Sequence, residues 1–185
     1  MMRKNIGSKL ALYPTPVTIV GADVKGKANW LLVAHVGIMG HDHIMISCAK
    51  PHYTNQGIKE NGIVSVNLVD EAILADADYV GCVSGSKEDK SEIFDIERGV
   101  LGSPMVAISP LTMECRVEDN YETKGFDNFI LKIENTYVKE EYINENNTLN
   151  YDKLKPVLFE MPTYQYLKTG DVIGKCTHIR EEKRR

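Results

Sequence analysis

The sequence lacks the motifs and long apolar runs that define several large protein classes. Its 185 residues contain no G-x-G-x-x-G, no G-x-x-x-x-G-K-[ST] and no regular alternation of strand and helix patterns, which disfavours Rossmann and P-loop nucleotide sites. No apolar run approaches the ~18 residues that a transmembrane helix needs. The N-terminus shows neither the hydrophobic region nor the cleavage site of a signal peptide. These absences predict a cytoplasmic protein that does not bind a membrane.

Cysteine and recognisable catalytic sets are also scarce. The four cysteines, Cys48, Cys82, Cys115 and Cys176, form no C-x-x-C pair, so we expect free, buried or semi-buried thiols in a reducing compartment. There is no Ser-His-Asp arrangement, no H-E-x-x-H and no pair of carboxylates suited to acid–base catalysis. A hydrolase is therefore the least favoured enzyme class, and an enzyme with this sequence would depend on a cofactor.

What is present is the composition of an ordinary globular protein, with 43% hydrophobic and 26% charged residues. The net charge of −4 disfavours general binding to nucleic acid. We expect one domain over residues 1–185, with its core at about residues 12–177 and a solvated, charged tail at 178–185.

Short apolar or alternating runs between turn residues predict a mainly β protein built as an antiparallel barrel. The predicted strands are residues 18–22, 30–36, 43–48, 63–69, 104–111, 113–117, 129–138 and 171–177, with short apolar segments at 156–159 and 164–167. Residues 37–42 predict a break. Because side chains fill a small closed barrel, a ligand would bind at its rim or at a subunit junction.

Three short helices are predicted, at residues 55–61, 70–81 and 91–96. Thr54 is a candidate N-cap of the first helix, and Gly62 is a candidate C-terminal residue after it. The barrel would thus carry only a few short helices.

Polar side chains occur where predicted strands end or loops begin. They are Asn29, His35, Lys50, His52, Thr54, Lys90 and Asn128. Residues 49–54 combine a cation, a hydroxyl and backbone amides, a set that could hold a phosphate. Three of these residues have alternative, purely structural roles: Asn29 could end a turn, Thr54 could serve as nothing more than a helix cap, and Lys90 could belong to a solvated loop.

The histidines and Cys48 offer weaker candidates for chemistry. His35, His41 and His43 are close in sequence, but no fourth ligand of matching character accompanies them, so we expect no metal site. Cys48 has no neighbouring base that would mark it as a nucleophile, and a buried structural thiol is the favoured interpretation.

Seven segments, in this order, resemble the flavin reductase-like FMN-binding proteins, specifically their flavoredoxin and ferric-reductase branch. They are PTPVTIVGA (14–22), GKANW (26–30), ISCAKPHYT (46–54), I-x-x-x-G-I-V-S-V-N (58–67), GCVSGSKEDKSEIF (81–94), SPMVAISPLTMEC (103–115) and YVKEE (137–141). The similarity runs from about residue 12 to residue 176.

This resemblance implies a split antiparallel β-barrel of Greek-key topology that binds FMN as a homodimer. It further implies a flavin-dependent oxidoreductase, either an NAD(P)H:flavin or ferric reductase or a flavoredoxin-like electron carrier. NAD(P)H would be the electron donor, and a small molecule or a protein would be the redox partner. A flavin carrier without turnover and a barrel that binds another ligand, such as haem, are the alternatives.

The resemblance also implies roles for individual residues. Asn29 would contact the flavin or its ribityl chain, and the backbone of Ser47, Cys48 and Ala49 would line the ring. Lys50 and Thr54, with His52 and Tyr53 nearby, would hold the phosphate. Lys90 would reach the flavin from the other side, and Tyr164 or Tyr166 would cover the ring.

The sequence departs from the family pattern in two places, and the residues there remain candidates beside the flavin. His35 stands where relatives often carry tryptophan, and Phe126-Asp127-Asn128 stands where they often carry G-D-H. A histidine can donate a hydrogen bond or a proton, whereas Asn128 can donate but cannot titrate. His35 and Cys48 are the candidates for a direct part in chemistry near the ring.

Overall fold

The computed structural model describes residues 2–178. Of the predicted charged tail, only residue 178 lies within them. None of the helices in this range is long and apolar enough to cross a membrane.

The described residues contain twelve strands and three short α-helices. The strands are β1 (Thr15–Pro16), β2 (Thr18–Val24), β3 (Lys27–Val33), β4 (Val36–Ile38), β5 (His43–Ala49), β6 (Ile63–Leu68), β7 (Ile96–Arg98), β8 (Pro104–Val106), β9 (Leu111–Glu122), β10 (Phe126–Val138), β11 (Leu158–Glu160) and β12 (Gln165–Leu167). The helices are α1 (Thr54–Asn61), α2 (Leu74–Cys82) and α3 (Tyr151–Leu154), with a 3₁₀ turn at Glu140–Tyr142.

Seven strands form one antiparallel sheet in the order β3-β2-β6-β9-β10-β5-β4. The sheet curls so that β3 also lies against β5, which makes a barrel that is split between these strands. Strands β9 and β10 are the longest pair and carry two register shifts, at Ile130/Leu131 and Ile133/Asn135. Such bulges bend a strand and increase its twist, which favours curling.

Two apolar clusters explain why this sheet is stable. The inner cluster fills the barrel and includes Leu31, Ile46, Val64, Phe129 and Leu131, all buried. The second lies on the outer face of the sheet, where α2 covers Trp30 and Ile19. The Trp30 and Phe94 rings meet edge to face with centroids 5.6 Å apart. Alternation along strands such as β3 supplies both faces, because successive side chains point to opposite sides.

Two small sheets complete the fold. β7 pairs with β8, and β1, β11 and β12 form a three-stranded antiparallel sheet in the order β1-β11-β12. In the latter, Phe159 lies directly opposite Tyr166. This small sheet brings the N-terminal and C-terminal parts of the chain together beside α2.

The prediction of a mainly β split barrel with a few short helices is confirmed, and the main strands lie close to their predicted positions. Three strand predictions and one predicted break are wrong in detail. The strand predicted at 104–111 ends at Val106, where the chain turns before β9. The second strand ends at Val33, and the predicted break at 37–42 begins inside β4, which pairs with β5. Residues 171–177 form no strand, because no other strand pairs with them and Ile173 is 96% exposed.

The helix predictions were less accurate. The helix predicted at 70–81 begins only at Leu74, because the Asp70 carboxylate accepts hydrogen bonds from the backbone amides of Ala72 and Ile73 and holds them in a turn. No helix forms at residues 91–96, where the chain turns and then enters β7. The first helix ends at Gly62 in the left-handed region as predicted, but Thr54 is its first residue and not its cap.

Candidate functional site

A cavity of about 520 Å³ lies between the barrel, α2 and the small sheet of β1, β11 and β12. This is within the ~300–1,000 Å³ of typical small-molecule pockets. Its lining residues are Val17, Leu31 to His35, Ser47 to Ala49, His52, Asp78, Gly81, Cys82, Phe126, Phe159, Met161, Tyr164 and Tyr166. Two larger clefts, of about 700 and 770 Å³, contain none of the predicted site residues.

One wall of the cavity is built around His35. The Tyr13 hydroxyl lies 2.8 Å from His35 Nε2 and 3.5 Å from Met161 Sδ. The Phe126 ring meets the imidazole edge to face, with centroids 6.0 Å apart. These contacts fix the imidazole plane, so His35 presents a held aromatic ring with polar edges to the cavity.

A second wall comes from α2 and the small sheet. Tyr166 donates from its hydroxyl to Asp78 Oδ1 at 2.6 Å, and its ring lies 5.4 Å from that of Phe159. Burial, together with the Asp78 carboxylate, raises the pKa of Tyr166. The phenol is therefore protonated at neutral pH and acts as a donor. Cys82, one turn beyond Asp78, is an exposed thiol at the rim.

The end of β5 forms the floor of the cavity. Ser47 pairs with Asn128 across β5 and β10, and the Ser47 hydroxyl donates to Asn128 Oδ1 at 2.6 Å. Cys48 points into the inner core cluster, and burial raises the pKa of its thiol to about 12. Cys48 is therefore a neutral thiol at physiological pH, because only a depressed pKa would make it a reactive thiolate.

A second, polar cleft of about 380 Å³ lies between the β2–β3 turn and the loop after α2. Four lysines line it, together with two carboxylates that are already engaged. They are Lys25, Lys27, Lys87 and Lys90, with Glu88 bonded to Tyr79 and Asp89 paired with Lys27 at 2.5 Å. The cleft therefore carries a surplus of positive charge.

Asn29 and Thr54 meet at the wall of this cleft. Asn29 is 4% exposed, and its Nδ2 donates to the Thr54 hydroxyl at 2.6 Å. A Cβ atom on Gly85 would collide with Asn29 Oδ1 and would lie 2.7 Å from the Tyr53 ring. The loop can therefore approach Asn29 and Tyr53 only because residue 85 is glycine. The turn alternative for Asn29 and the cap alternative for Thr54 are wrong, because both side chains are buried partners of each other.

Lys90 is the most unusual cation of the cleft, because it is only 3% exposed. Its Nζ donates to the carbonyls of Val80 and Val83, at 2.9 and 3.2 Å, at the C-terminal end of α2. Burial lowers the pKa of the Lys90 amine to about 8. The solvated-loop alternative for Lys90 is therefore wrong. An ammonium group has three donors, so one remains after these two bonds.

The cavity and the cleft are neighbours. His52 lines the cavity and Tyr53 lines the cleft, while on β3 Leu31 lines the cavity and Asn29 the cleft. Burial lowers the pKa of His52, and the Lys90 charge lowers it further. An elongated ligand could thus have its apolar part in the cavity and an anionic part in the cleft.

Two other predicted residues contribute less to this arrangement. Lys50 is exposed and pairs with Glu122 at 2.7 Å, away from both lining sets. Tyr164 lines the cavity but is 73% exposed, with a φ of 55° in the left-handed region. Its ring contacts only Phe159 among the ring contacts of the described residues, at 6.2 Å.

The histidines do not assemble as metal ligands. His43 lies 2.7 Å from Asp42 and 2.9 Å from Glu118, two carboxylates whose hydrogen bonds raise its pKa. His35 instead contacts Tyr13. Within residues 2–178, no group of three or more His, Cys, Asp or Glu residues is placed to hold a metal ion.

Several lining residues had no signal in the sequence. Asp78 and the Phe159–Met161 segment line the cavity, and Tyr13 supports it through His35; only the tertiary fold brings these three segments together. Phe126, which the sequence marks only as part of the Phe126-Asp127-Asn128 departure, lies opposite Ala49 in the register that also pairs Asn128 with Ser47.

Comparison with known proteins identifies the family. The family model described as "Flavin reductase like domain" matches residues 10–160. The chain belongs to this family. The crystal structure of a flavoredoxin from Methanosarcina acetivorans is 33% identical in sequence with a TM-score of 0.93, covering 99% of this chain and 100% of that one. Flavoredoxin of Desulfovibrio vulgaris (Miyazaki F) is 28% identical with a TM-score of 0.88, covering 97% and 100%.

A more distant relative extends the family comparison. An uncharacterized protein of Aeropyrum pernix is 25% identical over 137 residues, which are 71% of this chain and 52% of that protein. The match thus spans about half the length of that relative. The resemblance to flavin reductase-like proteins that the sequence predicts is confirmed, as is the flavoredoxin-like fold.

Proposed function

We propose that this protein binds FMN, with the flavin ring in the cavity and the phosphate in the lysine-lined cleft. The observation that carries the proposal is the junction of the two spaces at His52 and Tyr53. An aromatic-walled pocket suits a planar heterocycle, and a cleft with surplus lysines suits a phosphate dianion.

The polar groups at the site fit FMN. Flavin edges carry both hydrogen-bond acceptors and donors, and at the floor the Ser47 hydroxyl offers its oxygen as an acceptor, because its hydrogen is donated to Asn128 Oδ1. Lys90, with its free donor, and Asn29, the partner of Thr54, line the cleft together with Lys25 and Lys87. For Lys50 to contribute, it would first have to leave Glu122.

The activity that we propose is electron transfer through this flavin, as an NAD(P)H-dependent flavin or ferric reductase or as a flavoredoxin-like carrier. Bound FMN would supply the two-electron redox chemistry. The residues of the chain would orient the ring between the His35 and Tyr166 walls and exclude water from its inner face. Lys90 would place positive charge close to the ring, which favours the reduced, anionic form. A homodimer, a cytoplasmic location and a small-molecule or protein redox partner remain predictions from the family resemblance.

The first test is the visible absorption spectrum of the purified protein, before and after incubation with FMN. We expect the two broad bands of oxidised flavin; a Soret band would instead indicate haem. Anaerobic addition of NADH or NADPH then separates an oxidoreductase from a passive carrier. Bleaching of the flavin by either nucleotide, with turnover on free flavin or a ferric chelate, supports the reductase. A flavin that only dithionite reduces supports the carrier.

A further inference from the structure

The polar contact between Asp78 and Tyr166 crosses the cavity rim between elements that are far apart in sequence. Asp78 lies on α2, and Tyr166 lies on β12 of the small sheet. The hydroxyl-to-carboxylate distance is 2.6 Å, and both residues line the cavity. The acceptor is an exposed carboxylate, and hydrogen bonds to carboxylates belong to the stronger, charge-assisted class.

This bond determines where an aromatic ring stands. Tyr166 lies opposite Phe159 across β11 and β12, and the two rings are inclined at 47° with centroids 5.4 Å apart. The strands that carry them are only three residues long, and backbone pairing does not set where the end of a side chain lies. Asp78 attaches the free end of Tyr166 to α2. Tyr164, two residues earlier, has no such attachment to any residue between 2 and 178 and is largely exposed.

We propose that Asp78 is a positioning residue that fixes Tyr166, and not Tyr164, as the aromatic wall against the flavin ring. This proposal rests on the proposed FMN function. Asp78 would act at the ring end of the ligand only, because it lines the cavity and not the cleft. Its removal should therefore weaken all flavins equally, with or without a phosphate.

The test compares the affinities for FMN and riboflavin, by fluorescence titration of the full-length protein, in Asp78→Ala, Asp78→Asn and Tyr166→Phe. Asp76→Ala is the matched control, because Asp76 is an exposed carboxylate on the same helix and lines neither space. We expect Asp78→Ala and Tyr166→Phe to weaken FMN and riboflavin by the same factor, roughly five- to tenfold, from the value of an ordered aromatic contact. Asp78→Asn keeps an acceptor oxygen and should recover most of the affinity.

A second readout separates positioning from a merely structural tie between α2 and the small sheet. The visible circular dichroism of bound flavin reports the asymmetry of the ring environment, so Asp78→Ala and Tyr166→Phe should change its amplitude while Asp76→Ala leaves it unaltered. Affinities and dichroism of Asp78→Ala equal to those of Asp76→Ala would overturn the proposal, as would a loss confined to FMN. A wild-type protein that binds neither flavin would refute the proposed function itself, before any variant is compared.

Discussion

Lys90 connects stability to pH in a way that can be measured. Its amine is buried and donates to two carbonyls at the end of α2, and burial lowers its pKa from 10.5 to about 8. In the unfolded chain the amine returns to its ordinary pKa, near 10.4. Between pH 8 and pH 10.5 the unfolded state therefore binds more protons than the folded state.

The sign and size of the effect follow from this difference. Stability rises with pH wherever the unfolded state binds more protons. The two pKa values are about 2.5 pH units apart, and at ~1.4 kcal/mol per unit the Lys90 contribution to the free energy of unfolding rises by at most about 3.5 kcal/mol over this range. The bonds to Val80 and Val83 offset part of the cost of burying the charge below pH 8.

Urea unfolding of the wild type and Lys90→Met at pH 7, 8.5 and 10 measures this contribution. The wild-type free energy of unfolding, minus that of the variant, should increase with pH, because other titrating groups cancel in the subtraction. Lys87→Met is the control, since Lys87 is an exposed lysine of the same loop. Parallel curves for the wild type and Lys90→Met would show that the Lys90 amine does not change its pKa on folding.

Three further predictions concern the ligand and the buried carboxylate. Lys25→Gln combined with Lys87→Gln should weaken FMN about tenfold and leave riboflavin unchanged, because these cations line only the cleft; equal losses for both flavins would contradict this. Lys90→Met should lower the reduction potential of bound FMN in a spectroelectrochemical titration, because a nearby cation favours the reduced anion; an unchanged potential would remove Lys90 from the flavin environment. Glu114 is fully buried. Burial raises its pKa, but hydrogen bonds from Leu101, Ser103 and Asn135 outweigh this effect and lower the pKa overall. The Glu114 carboxylate therefore stabilises the fold above about pH 4.5, and this stabilisation is lost on further acidification. Glu114→Gln should therefore cost roughly 1–3 kcal/mol at pH 7 in urea unfolding and less at pH 3, whereas a pH-independent cost would contradict the charged role.

Local patterns in the sequence predict most of the barrel. The alternation of apolar and polar residues in β6 and β10 falls on strands, because successive side chains of a strand point to opposite faces of the sheet. The apolar run of β3 also falls on a strand. Strand β4 was missed because its three residues are defined by pairing with β5, which is a tertiary property. The apolar residues of 171–177 were misleading, because a strand also needs a neighbouring strand.

The site is less predictable, because partners distant in sequence decide the role of each side chain. Lys90 ends a polar loop sequence, yet its amine is buried at the end of α2. Lys50 follows a strand as a phosphate ligand would, yet it pairs with Glu122, 72 residues away. Thr54 has the sequence position of a helix cap, yet its hydroxyl accepts from Asn29 on β3. Residue type indicated where polar groups would gather, whereas only the fold shows which of them meet.

The most direct test of the central claim is a paired titration of the flavin-free protein with FMN and riboflavin. Both ligands carry the same ring, so they differ only in the phosphate that we place in the lysine-lined cleft. We predict that FMN binds at least tenfold more tightly than riboflavin, and that added salt or inorganic phosphate reduces the difference. Equal affinities for the two flavins, or no binding of either, would contradict the division of the ligand between the cavity and the cleft.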